Sequence, residues 1–376
     1  VSDFENGLLL ASPEDVKSEL KKLKKVDKSN MLDYVIEMPD QIISATNAAV
    51  NFDEGDTPLD RNYIHMLGLG GSAVAGELLS DMLGSEKLVK IHRGIKPLRE
   101  KSGLIISSYS GNTKEILDIA PSTLGGLRTV IFITSGGRLA DIAFENSVPV
   151  WRIPENYQPR AAVGYSMALI LALMEKWRIV SGKQKILVNA AQRLKESLSD
   201  GDFDDHVLVR AALSLATTLI NKYTIVFHTQ KCTGSGIRLA AQICENTKIP
   251  AFSVALPEAL HNTVEGFANS NPSNWNLIFM SDQTDQTNMR EAIQNAMVYF
   301  SNKGFNCVAY PATGDDPFEL TLSRLFVADL VSLFLASKYK IDPTPLAAIT
   351  DLKSMQRTDI DDEEEDDQTD IEEVED

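Results

Sequence analysis

Cysteine is scarce in this chain: Cys232, Cys244 and Cys307 are the only three in 376 residues. They have no metal-ligand spacing and cannot all pair. That argues against a disulfide framework and reads as reduced thiols in a cytoplasmic protein. No uninterrupted apolar run reaches 18 residues, so no spanning helix and no membrane partner are expected. The first residues, Val1-Ser2-Asp3-Phe4-Glu5, lack the basic-then-apolar order of a secretory leader. Cations are in deficit, 36 Lys and Arg against 53 Asp and Glu. No basic patch stands out, so a nucleic-acid partner is not expected either.

The acidity is unevenly spread. Residues 359–376 hold 13 acidic residues and no Lys or Arg, so the rest of the chain carries −4 of the net −17. A stretch that polar cannot bury enough apolar surface to fold alone, and it reads as a disordered tail. A role in docking a basic partner is the other reading. The chain is 43% hydrophobic, enough for a substantial core.

Residues 13–49 read as amphipathic helix with a break, and Ser12-Pro13-Glu14-Asp15 as its cap and first turn. Strands and helices then alternate. Apolar runs at 64–67, 88–92, 104–108, 129–134 and 148–153 predict strands. Helices are expected at 73–82, 113–120, from 138, and over 161–177. Polar residues near 180–184 and 199–205 mark a boundary. The pattern restarts with helices at 207–220, 236–244, 289–300 and 320–337. Strands are expected at 223–229, 251–256, 276–281 and 305–309. The fold class is α/β: two parallel-sheet domains, 51–182 and 183–340, after an N-terminal helical segment at 1–50.

The densest chemistry lies at Ser107-Ser108-Tyr109-Ser110-Gly111-Asn112-Thr113, where a β-branched run hands over to a helix. Unpaired amides at a helix start favour an anion. Ser108, Ser110 and Thr113 add short uncharged donors, suited to a phosphate monoester held without metal. No Lys follows the glycine, so this is not a nucleotide-triphosphate loop. An ordinary capped turn is the competing reading.

Gly68-Leu69-Gly70-Gly71-Ser72-Ala73 follows the first strand. It fits a dinucleotide-binding turn, with Arg93 suited to a 2′-phosphate, so an NADP-dependent dehydrogenase competes. The simpler account places both turns at one crevice. Gly70 and Gly71 then let the backbone approach a sugar, and Ser72 caps its helix. A third turn, Thr134-Ser135-Gly136-Gly137-Arg138, reads as a cap and turn, with the crevice rim as its other role. Arg160, after Pro159, is expected at the start of the 161–177 helix. There a cation opposes the dipole and is placed either for a bound anion or at a solvated surface. Glu245 closes a helix after a run of small residues, partly out of solvent. His261 follows Pro257-Glu258-Ala259-Leu260 at the next strand end, where it can share a cleft with Glu245. His65, His92, His206 and His228 read as structural. No His/Glu cluster has ligand spacing, so no metal and no cofactor are expected.

In this order, the turns at 68–72 and 108–113, Pro159-Arg160-Ala161-Ala162, Glu245-Asn246-x-Lys248, Pro257-Glu258-Ala259-x-His261-Asn262 and Asp351-Leu352-Lys353 resemble one family. It is the bifunctional phosphoglucose/phosphomannose isomerases, built from two sugar-isomerase (SIS) domains. The resemblance spans roughly 60–355. It implies a metal-independent aldose–ketose isomerase interconverting glucose 6-phosphate and mannose 6-phosphate with fructose 6-phosphate. Ser72, Ser108, Ser110 and Thr113 match the family's 6-phosphate positions, with Gly70 and Gly71 beside the substrate. Glu245 matches the base and Arg160 the cation beside the enediolate. Lys353 matches a lysine near the ring oxygen, on a C-terminal segment (341–358) packing near the site. His261 matches the residue that opens the ring, supplied in trans in a homodimer. Ala73 stands where many relatives have glycine. Leu346 stands where some have a small hydroxyl residue that bears on C2 epimer tolerance. A non-catalytic sugar-phosphate sensor is the other reading of the same turns.

Overall fold

The computed structural model describes residues 9–84, 88–94, 101–125 and 129–355. The acidic segment 359–376 lies outside the described residues. Three helices open the chain: α1 (Pro13–Val26), α2 (Met31–Ile36) and α3 (Met38–Ala49). The Ser12 hydroxyl accepts from Asp15 N at 3.1 Å, with acids in the first turn of α1 and Lys24 and Lys25 in its last. That arrangement complements the helix dipole at both ends.

The first sheet is wholly parallel. Its strands are β1 (Asp60–Gly68), β2 (Val89–His92), β3 (Ser102–Ser107), β4 (Val130–Thr134) and β5 (Val150–Arg152), in the order β2-β1-β3-β4-β5. The connecting helices are α4 (Gly71–Leu83), α5 (Lys114–Leu117), α6 (Ala120–Thr123) and α7 (Gly137–Glu145). After β5 come a 3₁₀ turn at Pro159–Ala161, then α8 (Val163–Lys176) and α9 (Lys183–Ser199). Every residue of β3 is buried, as expected for a strand covered on both faces.

The second sheet is also parallel. Its strands are β6 (Tyr223–His228), β7 (Ala251–Ala255), β8 (Trp275–Met280) and β9 (Asn306–Ala309), ordered β7-β6-β8-β9. Its helices are α10 (Val207–Thr218), α11 (Thr233–Thr247), α12 (Thr263–Ala268), α13 (Thr287–Asn302) and α14 (Pro317–Tyr339).

Three sequence expectations need correction. The helix expected at 113–120 is two short ones. Pro121 has no N–H, and its ring crowds the carbonyl four residues back. The long helix begins at Val163, not Ala161. The region between 184 and 199, left unassigned, is α9, which buries Leu187, Ala190, Ala191 and Leu194 against α3, α8 and α14.

One continuous core joins the halves. Val74 and Leu78 of α4 meet Leu239 and Ile243 of α11 and Leu325 and Phe326 of α14 within it. By length and composition α14 passes for a membrane span, yet its apolar window lies entirely inside the protein. A polar contact adds to this join. The Asp81 carboxylate on α4 accepts from Gly234 N (3.0 Å), Ser235 N (2.9 Å) and Ser235 Oγ (2.9 Å) at the start of α11. A carboxylate there meets unpaired amides and the positive end of the dipole. In each sheet the strand order reverses direction once, between β1 and β3 and between β6 and β8. Such reversals open a crevice at the carboxyl ends of the strands.

Candidate active site

The first crevice is floored by the loops after β1 and β3. Gly70 has φ +53°, and the space where its Cβ would stand is open. Gly71 makes room for a neighbouring turn. A Cβ there would lie 3.1 Å from Pro159 O and 3.5 Å from Arg160 Cα, so its bareness admits the Arg160 turn. Ser72 is not the helix cap; Gly70 holds that position, and Ser72 sits inside the first turn of α4.

Across the crevice, Ser108 Oγ lies 2.8 Å from Thr113 Oγ1, and Asn112 N donates to Ser110 Oγ at 3.3 Å. Thr113 is the N-cap of α5. The amides of Lys114 and Glu115 open that helix without intrahelical acceptors. With four residues in α5, the dipole adds little, and what the loop could offer an anion is its hydroxyls and amides. The two loops adjoin: a Cβ on Gly68 would lie 3.2 Å from Ser72 Cβ and 3.3 Å from Ser107 O.

The third turn braces this loop. Ser135 N donates to Tyr109 O (2.9 Å), Arg138 N to Asn112 Oδ1 (3.0 Å) and Leu139 N to Gly111 O (2.9 Å). Gly111 has φ +66°, and a Cβ on it would fall 1.8 Å from Gly136 O. Only glycine fits that left-handed, crowded position.

Arg160 is neither at a helix start nor solvated. It lies in the 3₁₀ turn before α8 and is 3% exposed. Its Nε donates to Asn246 Oδ1 (3.0 Å), and its Nη2 to Pro343 O (2.9 Å) and Thr344 O (3.1 Å). Its Nη1 is buried with no hydrogen-bond acceptor and lies 3.5 Å from Glu245 Oε2. Burial pulls the guanidinium below its usual pKa, and the Glu245 carboxylate opposes that. Glu245 stands in the last turn of α11 with its side chain 28% exposed, so its carboxylate is partly open to solvent beside the buried Arg160. Lys248 donates to Glu245 O and, at 3.0 Å, to Pro343 O. Burial, then Arg160, lowers its pKa.

The structure therefore links the Gly70–Gly71 turn, Arg160 and Glu245 through short contacts. Two candidates stand apart within one chain. His261 ends the 3₁₀ turn Glu258–His261 after β7 and is exposed. Lys353 is exposed on a helix over 347–355 and makes no hydrogen bond or ion pair among the described residues. Its helix turns Ile349, Leu352 and Met355 outward, so among the described residues no apolar cover holds Lys353 against the site. Of the C-terminal segment, Pro343 and Thr344 are the residues that pack there. Arg93, the candidate for a 2′-phosphate, is held by Glu77 at 2.5 Å. His65 and His92 lie 2.7 Å apart through ring nitrogens, His206 caps α10, and His228 is buried in β6. Among the described residues no group of three or more His, Cys, Asp or Glu is placed to hold a metal ion.

Sequence reasoning missed Arg238 and Asp329, which lie behind Arg160, and gave no role to Asn246 and Lys248. A carboxylate inside the apolar run of α14 is a signal that it needs a buried partner.

A family model, the bacterial phospho-glucose isomerase C-terminal SIS domain, matches residues 208–355. A bifunctional phosphoglucose/phosphomannose isomerase from Caldicellulosiruptor bescii is 29% identical over 86% of this chain and 98% of its own. A protein of the same name from Aquifex aeolicus is 28% identical over 76% of this chain and 88% of its own. Among solved structures, a hypothetical protein from Thermus thermophilus matches with TM-score 0.68. It covers 93% of this chain and 94% of its own at 13% identity, a likeness that bears on the fold alone. Over most of its length the chain is thus similar to bifunctional phosphoglucose/phosphomannose isomerases, and residues 208–355 match their C-terminal SIS domain.

Proposed function

We propose that the protein interconverts glucose 6-phosphate, and mannose 6-phosphate, with fructose 6-phosphate by proton transfer through a cis-enediol. One observation carries this reading. A buried arginine with every donor but Nη1 engaged stands 3.5 Å from a partly exposed carboxylate, beside a crevice lined with hydroxyls. Ser72, Ser108, Ser110 and Thr113 hold the 6-phosphate as a remote handle that orients the carbon chain. Glu245 takes the proton from C2 and returns it to C1, and runs the reverse on the ketose. Charge gathering on the enediolate oxygens meets Arg160 Nη1, a donor fixed before the reaction begins. Moving a proton between neighbouring carbons calls for no redox cofactor.

Exposure of His261 and of the 347–355 helix supports a homodimer. In it the partner brings His261 to the ring oxygen, and Lys353 is placed when Ile349, Leu352 and Met355 are covered. We take residues 51–182 and 183–340 as the two SIS units and the cytoplasm as the location, in keeping with three unpaired thiols.

The test is a coupled assay with all three sugar phosphates, alongside Glu245→Gln. The variant should bind sugar phosphate like wild type and lose about 10²–10⁴ in turnover, the usual scale of a general base. Wild-type turnover in Glu245→Gln, or no isomerisation of any of the three by the native protein, overturns the assignment. The second outcome would leave a sugar-phosphate sensor.

A further inference from the structure

Arg160 is fixed at both ends by one closed ring of buried hydrogen bonds. Its Nε donates to Asn246 Oδ1. Asn246 Nδ2 donates to Ser332 Oγ (2.8 Å), which donates to Asp329 O (2.7 Å). The Asp329 carboxylate accepts from Arg238 Nε and Nη2, both at 2.8 Å, and from Gln242 Nε2 at 2.8 Å. Arg238 Nη2 then closes the ring on the peptide oxygen of Arg160 at 2.7 Å. The ring joins the 3₁₀ turn of the first half to α11 and α14 of the second.

We propose that Asn246, Ser332, Asp329 and Arg238 are positioning residues for the isomerisation, acting through Arg160. Asn246 and Ser332 are fully buried, and Arg238 and Asp329 are 2% and 4% exposed, so none of them touches a substrate in the crevice. A buried ion pair is a poor source of stability compared with packed apolar groups, so its presence calls for another reason. The geometry supplies one. The ring and the Pro343 and Thr344 carbonyls occupy Nε, Nη2 and the backbone oxygen, leaving Nη1 as the single donor site facing Glu245. Rotation of the guanidinium would break several of these bonds together. The ring therefore holds Nη1 where the enediolate oxygens develop charge, and keeps Arg160 from closing fully onto Glu245. Gln242, one turn before Asn246 on α11, orients the Asp329 carboxylate and is expected to matter less.

This proposal rests on the isomerase reading above. Its test compares Asn246→Ala and Ser332→Ala with wild type for kcat, KM and two inhibitors. One inhibitor is a hexitol 6-phosphate, which resembles the ground state. The other is a phosphorylated aldonate, whose planar carboxylate resembles the enediolate. Asn246→Ala should lower kcat about 10–100-fold, the scale of an ångström of misplacement, with KM within about threefold. Aldonate binding should weaken by a similar factor while hexitol phosphate binding stays level. Ser332→Ala, one bond further out, should show the same pattern at about 3–10-fold, roughly half the free-energy loss. If Asn246→Ala does not fold, Ser332→Ala decides. Unchanged kcat, or equal loss of both inhibitors, overturns the proposal. Full activity in Glu245→Gln would instead remove the reading beneath it.

Discussion

Replacing Gly111 by alanine tests whether the hydroxyl loop is held in shape by the turn after β4. The new Cβ would sit 1.8 Å from Gly136 O and 2.9 Å from Thr134 Oγ1, on a residue with φ +66°. Ordinary carbon contacts begin near about 3.5 Å, so the Gly136 peptide must retreat by roughly 1.7 Å. That movement strains the 2.7 Å bond from Thr134 Oγ1 to Gly136 O and the Leu139 N bond to Gly111 O. An L-residue in the left-handed region costs about 1–2 kcal/mol, and overpacking adds about 1–3 kcal/mol. The total, about 2–5 kcal/mol, lowers a urea midpoint by about 1 M at an m-value of about 3 kcal/mol/M. Ser110 and Thr113 flank the glycine. Losing one charge-assisted bond to the phosphate is worth about 1.5–3 kcal/mol, which raises KM roughly 10–150-fold. Gly84→Ala is the control. It has the same φ of +66°, with nothing within 4 Å of the added carbon, and it caps α4 away from the loop. It should cost about 1 kcal/mol and leave KM alone. Gly111→Ala with the control's midpoint and an unchanged KM would refute the bracing argument.

Two further outcomes follow from the geometry. Burial pushes the Asp81 carboxyl up to about 7, against the Gly234 and Ser235 donors and then Arg324, which pull it down. A carboxyl raised in the folded state contributes stability at low pH that is lost as pH rises through the folded value. Wild type should therefore lose up to roughly 4 kcal/mol between about pH 4 and 7 from this group, and Asp81→Asn should lack that slope. Urea midpoints at about pH 5 and pH 8 read it, and parallel slopes would disprove it. The placement of His261 in its partner's site is read by mixing two variants. Glu245→Gln and His261→Ala chains, each nearly inactive alone, are unfolded together and refolded. About half the dimers are then mixed and carry one intact site of two, so about a quarter of wild-type activity should return. No recovery would place His261 outside its partner's site.

Much of the fold was legible because parallel strands buried on both faces read as unbroken apolar runs rich in β-branched residues. Leu104-Ile105-Ile106 and Val130-Ile131-Phe132-Ile133 are examples. The α9 helix carried its signal too, in Leu187, Ala190, Ala191 and Leu194 at helical spacing. It was hidden between two polar stretches that look like a linker. The setting of Arg160 was not legible. Its acceptors lie 86, 183 and 184 positions along the chain, and local spacing says nothing about such partners. Gly71 shows the same limit. A glycine that admits substrate and one that admits a neighbouring turn look identical in sequence, and only the Pro159 carbonyl distinguishes them.

The central claim is that Glu245 carries a proton between C1 and C2, and isomerisation of fructose 6-phosphate in deuterated water tests it most directly. Glucose 6-phosphate formed by the native protein should carry deuterium at C2, and Glu245→Gln should form it about 10²–10⁴ times more slowly. Labelled or unlabelled glucose 6-phosphate formed by Glu245→Gln at the native rate would contradict the account.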